Sequence, residues 1–132
     1  CGYPRHRQIF EERPQILAAA RAILQGDVVQ CTEEAMGLLI NVVKHSQTPE
    51  IFMFDIPLLL RNITPQCSEN AASEVYCATS HIAYRSSDAA TTVLSMIMHF
   101  GFYDKLQRDS TSTISRLSAN ASYLLQLLKP NE

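Results

Sequence analysis

Apolar residues recur at three- and four-residue spacing along almost the whole of this chain, and period-two alternation is nearly absent. That spacing stacks side chains along one face of a helix, whereas a half-buried strand would alternate. Glycine is scarce, with four in 132 residues, so few points demand unusual backbone angles. The spacing predicts an all-α chain: a compact, disulfide-stapled bundle of five to six short helices in a single domain, residues 1–132.

Local signals set the expected boundaries. A first helix is predicted over about 6–25, with Pro14 starting a second segment or kinking it and Gly26 stopping it. Asp27 to Gln30 reads as a capping box opening a second helix that runs to about Lys44. Its early turns carry Glu33 and Glu34 and its end Lys44 and His45, the arrangement that a helix dipole favours. Thr48-Pro49 is a start signal for a short third helix, broken near Asp55-Ile56-Pro57 and ending in a turn at 62–65. Ser68 is expected to cap a helix over 69–84, and 86–88 to cap another over about 89–108.

In that last segment Val93, Leu94, Ile97, Met98 and Phe102 share one face. Met96, Phe100 and Tyr103 extend apolar character around most of the cylinder. A helix apolar on nearly all sides is usually central, so 89–108 is expected in the middle of the bundle. Ser110 or Thr111 should cap a final helix ending before Pro130. Its stripe of Ile114, Leu117, Ala121, Leu124 and Leu128 suits an outer helix with one buried face.

Four cysteines, Cys1, Cys31, Cys67 and Cys77, accompany two glycosylation sequons, Asn62-Ile63-Thr64 and Asn120-Ala121-Ser122. An even cysteine count in a short chain reads as a disulfide framework, and sequons are used only in the secretory pathway. The chain is therefore expected to be secreted and extracellular, with Cys1-Gly2-Tyr3-Pro4 as a mature or trimmed terminus and Asn62 and Asn120 as glycan acceptors. Cys67 and Cys77 are ten residues apart, about 15 Å along a continuous helix, while a disulfide needs α-carbons within about 7 Å. That excludes Cys67–Cys77, and with it Cys1–Cys31. Two pairings remain: Cys1–Cys67 with Cys31–Cys77, which is preferred, or Cys1–Cys77 with Cys31–Cys67.

The net charge of −2 and pI near 6.1 lack the basic face of a nucleic-acid binder. No apolar run reaches the roughly 18–20 residues that span a bilayer; the densest stretch, 93–103, is interrupted by Ser95, His99 and Gly101. The histidines, His6, His45, His81 and His99, form no HExxH pair and no zinc-ligand set. Ser80 and His81 are adjacent, but neighbouring helical positions diverge by about 100° and do not face one another. G-x-S-x-G, P-loop and glycine-rich calcium-loop patterns are all missing. The expectation is a non-enzymatic protein with no catalytic residues, no cofactor and no metal.

Two features can make contacts. Arg5, Arg7 and Arg13, beside His6, form an N-terminal cationic cluster suited to an acidic surface; Lys105 and Arg108 stand near the junction of the last two helices. Met96, Met98, Phe100, Phe102 and Tyr103, with Phe52, Met53 and Phe54, are either core or the lining of an apolar ligand cavity. Phe52 to Phe54, beside a helix break, can also be an exposed anchor.

The stretch from Arg7 to Leu39, RQIFEERPQILAAARAILQGDVVQCTEEAMGLL, with four cysteines and a helical pattern, resembles the small salivary proteins of anopheline mosquitoes of the anophensin and albicin type. The resemblance implies an inhibitor of a host defence cascade, either the alternative pathway of complement or contact activation of the kinin system. Its partner would be a host plasma protein or protease complex. A second resemblance is to insect odorant-binding proteins, since the Cys1–Cys31 and Cys67–Cys77 intervals are similar to two of theirs. It implies a carrier of small apolar ligands.

Overall fold

The computed structural model describes residues 14–26 (side chains from Leu17), 32–63 and 68–128. Among these, the chain forms α1 (Pro14–Gln25), α2 (Thr32–His45), a 3₁₀ segment (Pro49–Asp55), α3 (Ile56–Arg61), α4 (Glu69–Ala83), α5 (Ser87–His99), α6 (Tyr103–Ser110) and α7 (Ser115–Leu128). The described residues are thus all-helical, with seven α-helices rather than five or six. The segment 6–13 and the capping box at 27–30 lie outside the described residues.

Where a cap is purely local, it forms as the sequence predicts. Ser68 Oγ accepts from the Ala71 amide at 3.1 Å, and Ser86 Oγ accepts from the Ala89 amide at 3.0 Å. Each satisfies an amide that the first helical turn leaves unpaired, worth about 1 kcal/mol. Pro49 also sits at the start of its segment as expected, but Thr48 gives no side-chain cap, and the turn winds as 3₁₀ before α3 takes over at Ile56.

Two expectations about the 89–108 segment are corrected. The 89–108 helix is not continuous. It ends at His99, the chain turns through Gly101 at φ 77°, and α6 restarts at Tyr103. That angle is open to glycine at little steric cost. Nor is the segment central. In α5 only Ala89, Val93 and Ile97 are buried, while Met98 and Phe100 are more than half exposed. The central element is α4, which buries Ala72, Ser73, Val75, Tyr76, Ala78, Thr79, Ser80, Ile82 and Ala83. Small residues dominate that set, so α2 and α7 can both approach its axis closely.

The last helix also begins later than expected. Ser110 and Thr111 do not cap it; their hydroxyls donate back to Gln107 O and Arg108 O and close α6. A turn over 111–114 follows, and Ile114 is left exposed. The rest of the stripe, Leu117, Ala121, Leu124 and Leu128, is buried as the spacing predicts.

Polar contacts fix the register of the helices around α4. The Glu33 carboxylate accepts from the Ser68 amide at 2.9 Å, and Lys44 donates to Glu74 at 2.6 Å, so α2 and α4 run in the same direction. Ser73 Oγ donates to Arg116 O at 3.3 Å, Arg116 pairs with Glu74, and Arg116 donates to Asn70 at 2.6 Å. Thus α7 lies alongside α4 with its first turns level with those of α4. At the far side, Tyr76 donates to the Asp109 carboxylate and ties α4 to α6. The α1 end of the molecule is held by a bidentate pair, Arg21 to Asp55 at 2.8 Å through both nitrogens. That pairing raises the Arg21 pKa above its ordinary value, because the carboxylate hydrogen-bonds the charged form.

Candidate binding surface

The 3₁₀ segment divides its own apolar residues. Phe52 and Met53 enter the core, while Ile51 is 65% exposed and Phe54 86% exposed. In a 3₁₀ helix, positions i and i+3 eclipse one another, so Ile51 and Phe54 stand on one outward edge. The start of the segment is joined to the end of α4 by Arg85 Nε to Glu50 at 3.1 Å. There Tyr84 is 70% exposed. Three large apolar side chains thus stand on two elements held together by an ion pair. The sequence reading allowed Phe52 to Phe54 to be anchor or core; the segment is both, split by helical geometry.

The methionine and aromatic cluster does not line one cavity. Met53 and Phe52 belong to the core, Met96, Phe102 and Tyr103 pack partly against it, and Met98, Phe100 and Phe54 face outward. His99 and Phe100 meet edge to face with ring centroids 4.9 Å apart at the end of α5. An open cleft of about 370 Å³ does lie between α5, α6 and α7, lined by Leu94, Tyr103, Gln107, Ser122, Leu125, Gln126 and Leu128. Tyr103 is the one member of the cluster in that lining.

A second open recess of about 280 Å³ lies between α4 and α7, lined by Cys77, Ser80, His81, Tyr84, Asn120 and Tyr123. Cys77 there is a half-buried free thiol. Burial lowers the His81 pKa, and the positive charges of Lys44 and His45 push it the same way. Ser80 Oγ donates to Tyr76 O at 2.9 Å within its own helix. Cys1, Cys31 and Cys67 lie outside the described residues, as do Arg5, Arg7, Arg13 and His6. No three histidine, cysteine or acidic side chains converge as a metal site among the described residues. No described helix is long and apolar enough to cross a membrane.

The two remaining cationic candidates separate. Arg108 is exposed on α6. Lys105 is half-buried and donates to the Ile63 carbonyl just past the end of α3. Its charge joins α6 to the loop after α3 rather than standing free at the surface.

Both sequon asparagines face inward through the nitrogen that would carry sugar. Asn62 Nδ2 donates to Leu58 O at 2.7 Å and to Leu24 O at 3.2 Å, bridging α1 and the end of α3. Asn120 Nδ2 donates to Ser73 Oγ at 2.7 Å and Ser73 O at 3.0 Å, locking α7 to α4. A glycan at either position would displace an interhelical hydrogen bond. Thr64, the hydroxyl residue of the first sequon, lies outside the described residues.

No family model, curated protein or solved structure matches the chain.

Proposed function

We propose that this chain is a secreted, disulfide-stapled, non-enzymatic binding protein that inhibits a host defence cascade by docking on a plasma protein or protease complex. The cascade is the alternative pathway of complement or contact activation of the kinin system, as the likeness of residues 7–39 to the anophensin and albicin type implies. The observation that supports docking from the outside is the exposure of Ile51 and Phe54 on one edge of the 3₁₀ segment, with Tyr84 exposed on the element that the Glu50–Arg85 pair joins to it. Exposed aromatic side chains held on a rigid frame are the usual anchors of protein interfaces, and rigidity reduces the ordering cost of association. The Glu50–Arg85 pair and the buried neighbours Phe52 and Met53 supply that frame.

A carrier of small apolar molecules is the second reading. The α5–α6–α7 cleft favours it on size, since small-molecule sites start near 300 Å³. Its open mouth and its glutamine and serine lining favour it less.

The discriminating experiment adds purified protein to serum and follows alternative-pathway lysis of erythrocytes, and to plasma and follows kallikrein generation on an anionic surface. The reading expects dose-dependent inhibition of one of the two. Phe54→Ser should weaken it by about tenfold, an ordinary anchor-residue loss of about 1.4 kcal/mol, with melting temperature unchanged. Undiminished activity of both cascades at micromolar protein would overturn it.

A further inference from the structure

We infer that N-glycosylation of Asn120 and the native docking of α7 on α4 exclude one another, so that the folded protein carries no sugar at this sequon. Asn120-Ala121-Ser122 satisfies the acceptor pattern, and Asn120 is only half-buried. Its nitrogen is nevertheless committed. Asn120 Nδ2 donates to Ser73 Oγ at 2.7 Å and to Ser73 O at 3.0 Å. Ser73 is 1% exposed, and its hydroxyl in turn donates to Arg116 O on α7 at 3.3 Å. One buried serine of α4 thus holds two points of α7. Ala121 and Leu124, on either side of this contact, are fully buried.

Glycosylation acts on the atom that makes the lock. The reaction joins the anomeric carbon of a sugar to the amide nitrogen and breaks that carbon's bond to the oxygen of a lipid-linked pyrophosphate, which leaves. The nitrogen gives up one of its two protons. The new carbon stands about 1.45 Å from the nitrogen, and carbon and oxygen that are not bonded meet at about 3.3 Å or more. On the side facing Ser73 the two acceptor oxygens already occupy that space, so a sugar enters only by pushing α7 off α4. A sugar kept clear of Ser73 must leave through the recess between α4 and α7, which Asn120 also lines. Turning the nitrogen into the recess brings Asn120 Oδ1 round toward Ser73 O, acceptor against acceptor, and the donor is lost from a buried pair.

The inference takes from the proposed secreted setting only the meeting with a glycosylating enzyme. Inhibition of a cascade, found or not found, leaves it untouched.

The test secretes the whole chain from insect cells behind a cleavable leader. Trypsin releases residues 117–132, because it cuts after Arg116 and not between Lys129 and Pro130. The mass of that peptide is read before and after peptide:N-glycosidase treatment in heavy-oxygen water. The secreted protein that melts cooperatively is expected to give the peptide without sugar. Any chain glycosylated at Asn120 should be retained in the cell or melt lower by roughly 7–10 °C. A secreted chain with sugar at Asn120 and an undiminished melting temperature overturns the inference. A second measurement uses protein made in bacteria, where no sugar is added. Asn120→Asp replaces the donor with an acceptor and should melt lower by roughly 7 °C. Ser122→Ala destroys the acceptor pattern but keeps Asn120, losing only the bond to Ser110 O at 3.3 Å, and should stay within about 3 °C of the parent. An Asn120→Asp variant that melts with the parent overturns the inference as well.

Discussion

Replacing Tyr76 with phenylalanine removes one oxygen atom from the centre of the molecule and leaves the ring in place. Tyr76 is 1% exposed, and its hydroxyl donates to the Asp109 carboxylate on α6. A hydrogen bond to a charged group contributes about 1.5–3 kcal/mol. Asp109 is half-buried and can be rehydrated in part, which places the loss near the lower end, about 2 kcal/mol. Unfolding entropy of about 2.1 cal/mol/K per residue makes roughly 0.28 kcal/mol/K for 132 residues. Tyr76→Phe should therefore lower the melting temperature by about 7 °C at pH 7.

The pH dependence sharpens the prediction. Burial, then the Asp109 hydrogen bond and negative charge, raise the Tyr76 pKa far above its ordinary value. In the unfolded chain a tyrosine ionises near pH 10. Above that pH the unfolded state releases a proton that the folded state keeps, so this group's share of stability falls as pH rises. The slope is about 1.4 kcal/mol per pH unit. The phenylalanine variant lacks that loss. The difference between the two proteins, measured by urea unfolding at pH 7, 9, 10.5 and 11, should be constant up to about pH 9.5 and shrink above it. A variant as stable as the parent at pH 7, or a gap that widens above pH 10, would refute the reasoning.

Three further outcomes follow from the same structure. His81 has a lowered pKa through burial and the nearby Lys44 and His45; the unfolded chain takes up its proton at a higher pH, so stability present above about pH 6.5 is lost on acidification. His81→Gln should flatten the fall in melting temperature between pH 7.5 and 5. Leu39→Ala on α2 and Ile82→Ala on α4, both at buried positions, should each cost about 3 kcal/mol, whereas Met98→Ser on the exposed side of α5 should stay within about 0.5 kcal/mol in denaturant titrations. Ser86→Ala should cost about 1 kcal/mol through loss of the Ala89 amide's acceptor, visible as a melting temperature lower by about 4 °C.

The parts of the fold that were legible in the sequence are those governed by a few adjacent residues. A serine ahead of a helical run caps it, so Ser68 could be named and the second cap placed within 86–88, and of the apolar stripe Ile114, Leu117, Ala121, Leu124 and Leu128 all but Ile114 are buried. The identity of the central helix was not legible, because burial in α4 is achieved by alanine, serine and threonine. Hydrophobicity ranks such a segment below Met98 and Phe100, yet small side chains are what permit two helices to approach it. The break at Gly101 was hidden for a related reason: apolar residues on both sides continue the helical pattern through it. Lys105 looked like a free surface charge since nothing local reveals that the Ile63 carbonyl will arrive beside it. Likewise Asn62 and Asn120 match a modification pattern on three residues, while their hydrogen-bond partners, Leu24 and Ser73, come from distant stretches of chain. The exposed edge at Ile51 and Phe54 was half legible: the helix break was visible, but only the 3₁₀ winding decides which aromatic turns outward.

The contrast between a working exterior and a working interior can be measured with one titration. An environment-sensitive apolar dye such as 1-aminoanthracene, added to the native protein, reports any saturable greasy site. An outward-docking protein should give a weak, linear rise in fluorescence with no saturation at stoichiometric protein. Saturation at one dye per chain, abolished when Leu94→Trp and Leu125→Trp fill the α5–α6–α7 cleft, would contradict the account and make the protein a carrier.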